Sequence, residues 1–265
     1  MDTLLALAKW VLPLVYLALA IDYGATFILR VRTHARNPGV VVAIVLHAAV
    51  LIARGVRLGG APVDTVAEVL SLVAVSSAVV YWAIESFTRD RRAGVFVFLL
   101  VFLCQYTASL LLAAGRGPGH AGPGWLHIVP ACLAYTAMGF AALYAGLYLL
   151  GQRNLKQHRV GLLFDRLPAL ERLGAMCWGA LLVGLVFMTV SIVTGAMMYS
   201  RGTAGGGIEA KVTAKIIIGS IAWLTCAAGV LGRRLAKWSL VRVAVVAVIG
   251  FVVVVAYLVT SIVMS

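Results

Sequence analysis

Eight apolar runs, separated by short segments that carry most of the basic side chains, leave this chain very few ways to fold. They cover about residues 4–29, 39–58, 66–86, 94–115, 126–151, 174–199, 213–231 and 241–263. A helix rises 1.5 Å per residue, so ~20 apolar residues cross a bilayer, and every run is close to or above that length. With 63% of its residues hydrophobic and 12% charged, a 265-residue chain has too little polar surface to wrap such runs in a water-soluble core. The expected fold is all-α. It is a polytopic transmembrane bundle of about eight spanning helices, one integral-membrane domain over 1–265. The first run is too long for a signal-peptide core, carries Lys9 and Asp22 and lacks a small-residue cleavage site, so it reads as a mature helix.

The net charge of +13 would suggest nucleic acid in a soluble protein. Here the charge alternates between loops. Arg30, Arg32 and Arg36 follow the first run, Arg89, Arg91 and Arg92 the third, Arg153, Lys156, Arg159, Arg166 and Arg172 the fifth, and Arg233, Arg234, Lys237 and Arg242 the seventh. The opposite side holds fewer, chiefly Arg54, Arg57, Arg116, Arg201, Lys211 and Lys215. The positive-inside rule therefore expects both termini on the outer, periplasmic face, with the lipid bilayer and not nucleic acid as the partner of this charge. Cys104, Cys132, Cys177 and Cys226 each stand alone in an apolar run and form no zinc or disulfide spacing.

Histidines carry the remaining chemistry. His127 opens the fifth run, in WLHIVPACLAY, at the expected headgroup boundary, where a neutral imidazole can face a polar pocket or a metal. His120 lies in the glycine- and proline-rich loop RGPGHAGPGW before it. His47, in VVVAIVLHAAVLIAR, falls near the bilayer middle, where an ionisable group is a functional candidate by default. The loop GGAPVDTVAEVL looks like a helix start, with Asp64 or Thr65 as cap and Glu68 in the first turn. Leu167 to Leu173 form a short amphipathic piece able to lie along the membrane surface. Paired carboxylates, a nucleophile with its base and a metal-ligand cluster are all missing from the pattern, so no enzymatic constellation is expected.

Four fragments, in order, resemble the membrane heme-handling or cytochrome c assembly family: GGAPVDTVAEVLSL, WLHIVPACLAY, LPALERLGAMCWGALLVGLVFMTVSIVTGAMM, and AKIIIGSIAWLTCAAG with its following basic loop and final VIGFVVVVAYLV helix. The resemblance covers roughly residues 40 to 265. The family's tryptophan-rich outer loop is replaced by SRGTAGGGIEAKVTAK, in which Lys215 is what survives of its DPKE element, and no histidine follows the last helix. The chain is thus closer to HemX-like or YpjD-like bacterial inner-membrane proteins that lack the tryptophan-rich motif.

The resemblance implies heme as a cofactor, with His127 at the outer ligand position. A second axial ligand is missing where the family keeps it, which leaves five-coordinate iron or a donor borrowed from Met197, Met198, Tyr199 or His120. Lys211 and Lys215 are candidates for heme propionates or lipid phosphates. The alternative for His127 is a fold relic hydrogen-bonded to a carbonyl. For His47 the alternatives are a membrane-embedded heme, a quinone headgroup, or a hydrogen bond to a serine or tyrosine on a neighbouring helix. His47 and His127 sit at depths differing by about 10–15 Å, too far apart to share one iron.

Three functions follow. The first is a heme-handling accessory protein that supports cytochrome c or heme biogenesis. The second is a heme-free structural or regulatory partner of another membrane or heme-biosynthesis protein. The third, a small transporter, would want more midplane polar groups than His47 and Gln105.

Overall fold

A computed structural model describes residues 2–29, 37–63, 65–89, 91–112, 125–158, 167–202 and 210–263. The described residues are helical, with no strand among them: α1 (Asp2–Leu29), α2 (Pro38–Leu58), α3 (Val66–Thr88), α4 (Gly94–Leu111), α5 (Trp125–Lys156), α6 (Leu170–Gly202), α7 (Ala210–Arg234) and α8 (Leu240–Val263). Seven are long and apolar enough to cross a membrane, and α8 is apolar over Leu240–Ala256. The fold is a polytopic helical membrane bundle.

Several helices outrun the apolar stretches read from the sequence. α5 continues through Arg153 and Lys156, and α7 through Arg233 and Arg234. A helix satisfies its own backbone in lipid and in water alike, so it need not stop where hydrocarbon does. The amphipathic piece at Leu167 to Leu173 is not a separate surface helix. Leu170 to Leu173 form the first turn of α6, and both Leu167 and Leu173 are buried, because their apolar side chains have a core to enter.

The chain divides into two compact units, 1–122 and 123–265. In the first, α4 packs against α1 and α3, while α2 closes the ring by touching α1 and α3. Buried positions recur at helical spacing: Leu12, Tyr16, Leu19 and Tyr23 on α1, Val40, Ala43 and His47 on α2, and Val97, Val101, Gln105 and Ala108 on α4. The faces turned away carry Val42, Val45, Ile52 and Val56, exposed in the protein and suited to lipid. The pattern of a soluble bundle is inverted, with small, aromatic and polar side chains inside.

Local signals fix the helix ends. Asn37 caps α2 by accepting from the Gly39 N–H at 2.9 Å, Pro38 supplies the first helical residue, and Gly59 ends the helix at φ 71°. Thr65 is the cap of α3 and forms a complete capping box with Glu68, whose carboxylate also holds Arg54 at 2.9 Å. Gly94 opens α4 where a Cβ would stand 2.2 Å from a Tyr23 ring carbon and 2.6 Å from the Tyr81 hydroxyl. Only glycine lets those rings seat.

In the second unit α5 packs most extensively against α6 and also meets α8, while α7 lies against α8 and α6. The α5 stripe of Ala134, Met138, Ala141, Ala145 and Tyr148 faces inward, as do Leu173, Cys177, Leu181, Met188 and Ser191 on α6. Cys132, Cys177 and Cys226 are buried packing residues, with the Cys226 thiol against the Met138 sulfur at 2.9 Å.

Candidate functional site

The first unit holds a hydrogen-bonded chain that runs through all four helices. Ser109 Oγ donates to the Lys9 carbonyl at 2.7 Å, and since a carbonyl only accepts, that bond fixes the direction of everything upstream. Gln105 Nε2 then donates to Ser109 over a long 3.5 Å, and its Oε1 accepts from Ser71 Oγ at 3.0 Å. With the Ser71 proton committed, His47 Nε2 must carry the hydrogen it gives to Ser71 at 2.9 Å. Nδ1 is left as the acceptor for Tyr16, at 2.8 Å. His47 is fully buried, and both its ring nitrogens are engaged by a tyrosine and a serine on neighbouring helices. Iron or a quinone could reach it only by displacing one of them.

A second polar cluster closes the end of the unit at which α1 and α3 finish. Tyr23 donates to Glu85, Arg91 reaches Glu85 at 3.3 Å and lies over the Tyr23 ring at 4.7 Å, and Asp22 accepts from Asn37 at 2.7 Å. Arg91 is the cation for both carboxylates, at 3.3 Å from buried Glu85 and 3.8 Å from exposed Asp22, and the buried one needs it because a lone charge out of water is costly. This cluster ties loops to helices.

His127 is arranged differently. It sits in the first turn of α5, one turn before Pro130, and its ring lies against α6. Nδ1 is 2.7 Å from the Ser191 carbonyl oxygen. That oxygen can only accept, so Nδ1 carries the proton, and in the neutral ring Nε2 keeps a lone pair. Nε2 makes no hydrogen bond among the described residues. Ser191 Oγ stands 3.1 Å from Nδ1 and donates to the His127 backbone carbonyl at 3.2 Å, so one serine grips both the ring and the main chain. Gly195, one turn on, has its missing Cβ position 2.8 Å from Nδ1 and 3.0 Å from Cε1. The imidazole occupies the space another residue would fill.

The other residues singled out in the sequence distribute unevenly around this ring. Met198, seven residues after Ser191, shares its face of α6. Met197 follows Gly195 by two residues, about 200° round the helix, and is 58% exposed. Lys215 lies early in α7, and its side chain is outside the described residues, as is the whole of His120. Trp223, near the middle of the same helix, donates from its indole to Thr189 Oγ1 at 2.8 Å and ties α7 to α6. Three or more histidine, cysteine or acidic side chains do not converge on a metal-sized site among the described residues.

Nothing in the sequence alone joins Tyr16, Ser71, Gln105 and Ser109 to His47, or Ser191 and Gly195 to His127. The available signal was weak. Each is a small or polar residue at helical spacing in an apolar run, and which helix it faces depends on packing.

Residues 63–265 match a family model described as Cytochrome C assembly protein. That stretch takes in α3 to α8, including His127, Ser191 and Gly195, whereas Tyr16 and His47 precede it. No curated protein and no solved structure matches the chain.

Proposed function

Because this chain belongs to the cytochrome c assembly family, and so to cytochrome c biogenesis, we propose that it handles heme, with His127 Nε2 as the iron ligand. The observation that carries the reading is the hydrogen bond from His127 Nδ1 to the Ser191 carbonyl at 2.7 Å, which leaves the Nε2 lone pair free. That is the arrangement in which ligating histidines are usually held. His47 has the opposite arrangement, its lone pair already taken by Tyr16, so His127 is the better donor of the two.

Heme supplies the iron porphyrin that cytochrome c biogenesis must deliver. What the chain contributes is one imidazole, presented at the end of the second unit where α5 and α7 begin and α6 finishes. Met198, one turn beyond Gly195 on α6, is a sulfur donor in register with His127. Lys215, early in α7, supplies a cation at the same end for a propionate. The absence of the tryptophan-rich loop fits a protein that holds heme without presenting it to an apocytochrome, as in the HemX-like or YpjD-like branch. The loop charges support an orientation with His127 at the outer face, and the resemblance to the HemX-like or YpjD-like branch supports a bacterial inner membrane.

Hemin titration of detergent-purified protein, followed in the Soret region, tests this. Wild type and His47→Ala should bind one heme with a shifted Soret band, and His127→Ala should lose at least ~10-fold in affinity. Equal binding by wild type and His127→Ala would remove His127 from the site.

A further inference from the structure

We infer that the Ser191–Gly195 turn of α6 is a positioning element that fixes which nitrogen His127 offers and how strongly that nitrogen donates; this rests on the reading of His127 as a heme ligand. Three observations converge on it. The Ser191 carbonyl receives the Nδ1–H at 2.7 Å, the Ser191 hydroxyl is bonded to the His127 main chain, and Gly195 leaves the space in which the ring lies. Ser191 is 5% exposed, so the clamp is shielded from water that would otherwise exchange with it. Pro130 adds to the local demand for partners, because it has no N–H to give the Leu126 carbonyl and this turn of α5 is short of one internal bond.

The clamp also contains a competitor. Thr194 Oγ1 reaches the same Ser191 carbonyl at 3.0 Å and the Val190 carbonyl at 2.8 Å. A carbonyl oxygen has two lone pairs, and each added donor weakens what it gives the others. A stronger Nδ1–H bond makes the imidazole more basic and its Nε2 a stronger iron ligand. Ser191 and Gly195 therefore work in one direction and Thr194 in the other. A purely packing role for this turn has no reason to produce opposite signs.

Two readouts test the inference. The first is ¹⁵N NMR of heme-free protein labelled in histidine. Neutral His127 should show a protonated Nδ1 and an unprotonated Nε2 in wild type and in Ser191→Ala, which keeps the backbone carbonyl. The second is the iron–imidazole stretch of the ferrous heme complex by resonance Raman. Gly195→Ala, whose new Cβ must push the ring from the carbonyl, should shift the stretch down and weaken heme binding by ~10–100-fold. Thr194→Val should shift it up.

An Nε2-protonated ring in the heme-free wild type overturns the inference. So does a stretch that is the same in wild type, Gly195→Ala and Thr194→Val while His127→Ala still abolishes heme binding; in that case the ligand reading stands and the positioning falls. If His127→Ala binds heme as wild type does, the ligand reading falls, and the NMR spectrum still decides the tautomer. Should Gly195→Ala fail to fold, the Thr194→Val shift and the wild-type tautomer carry the decision.

Discussion

Tyr16→Phe removes one hydroxyl from the centre of the first unit and leaves no cavity larger than an oxygen atom. The hydroxyl donates to His47 Nδ1 at 2.8 Å, and both side chains are fully buried, so no water replaces it. A neutral hydrogen bond between membrane helices is worth about 0.6–2 kcal/mol, and an orphaned buried acceptor about 1–3 kcal/mol. We expect Tyr16→Phe to cost ~1–2 kcal/mol. His47→Leu is expected to cost more, about 2–4 kcal/mol, since it strands both the Tyr16 hydroxyl and the Ser71 oxygen. The informative variant is the double one. With leucine at 47 the Tyr16 hydroxyl has lost its acceptor, so removing it should be neutral or stabilising, a coupling of ~1–2 kcal/mol. Reversible unfolding in mixed micelles, titrated with denaturing detergent, gives the four free energies. If Tyr16→Phe costs the same in both backgrounds, the two residues are not partners and the derived chain of donors is wrong.

Other consequences follow from single contacts. Gly94→Ala places a methyl 2.2 Å from the Tyr23 ring, which should destabilise the first unit by about 1–3 kcal/mol or more and lower its thermal midpoint in detergent. Arg91→Ala leaves the Glu85 carboxylate buried without its cation and should cost up to about 3–5 kcal/mol, whereas Arg91→Lys should recover part of that loss; the same unfolding titration reads both. Thr65→Ala breaks the capping box of α3 at a cost of ~1 kcal/mol, visible as faster amide exchange over the first turn of α3. Trp223→Phe loses the indole bond to Thr189 and should loosen α7 from α6 by roughly 1 kcal/mol without affecting the first unit.

The number of helices and their approximate limits were legible because twenty-residue apolar runs between basic loops have one physical solution in lipid, although of the eight helices seven meet the length and apolarity of a span. Thr65 and Glu68 were legible as a cap because a capping box is local, decided within four residues. The partners of His47 were legible only as types. A serine or tyrosine on a neighbouring helix was one expectation, and the structure supplies both, Tyr16 from 31 residues before it and Ser71 from 24 after. That pairing depends on the rotation of three helices about their axes, which apolar runs rich all round in valine, leucine and alanine do not encode in their period. The same reason hid Ser191 and Gly195, 64 and 68 residues beyond His127. A serine and a glycine inside VFMTVSIVTGAMM read as ordinary small residues until α6 is set against α5. Met197 and Met198 are equally near the helix end in the sequence, and only the face each occupies separates them.

Heme handling by this chain turns on one imidazole nitrogen, and absorption spectra of protein purified from heme-synthesising cells, oxidised and then dithionite-reduced, address it most directly. Wild type and His47→Ala should show Soret and α bands, and His127→Ala should show neither or a displaced, weakened set. A wild type that is colourless and stays so after hemin is added, or a signal lost in His47→Ala and kept in His127→Ala, would contradict the assignment of His127.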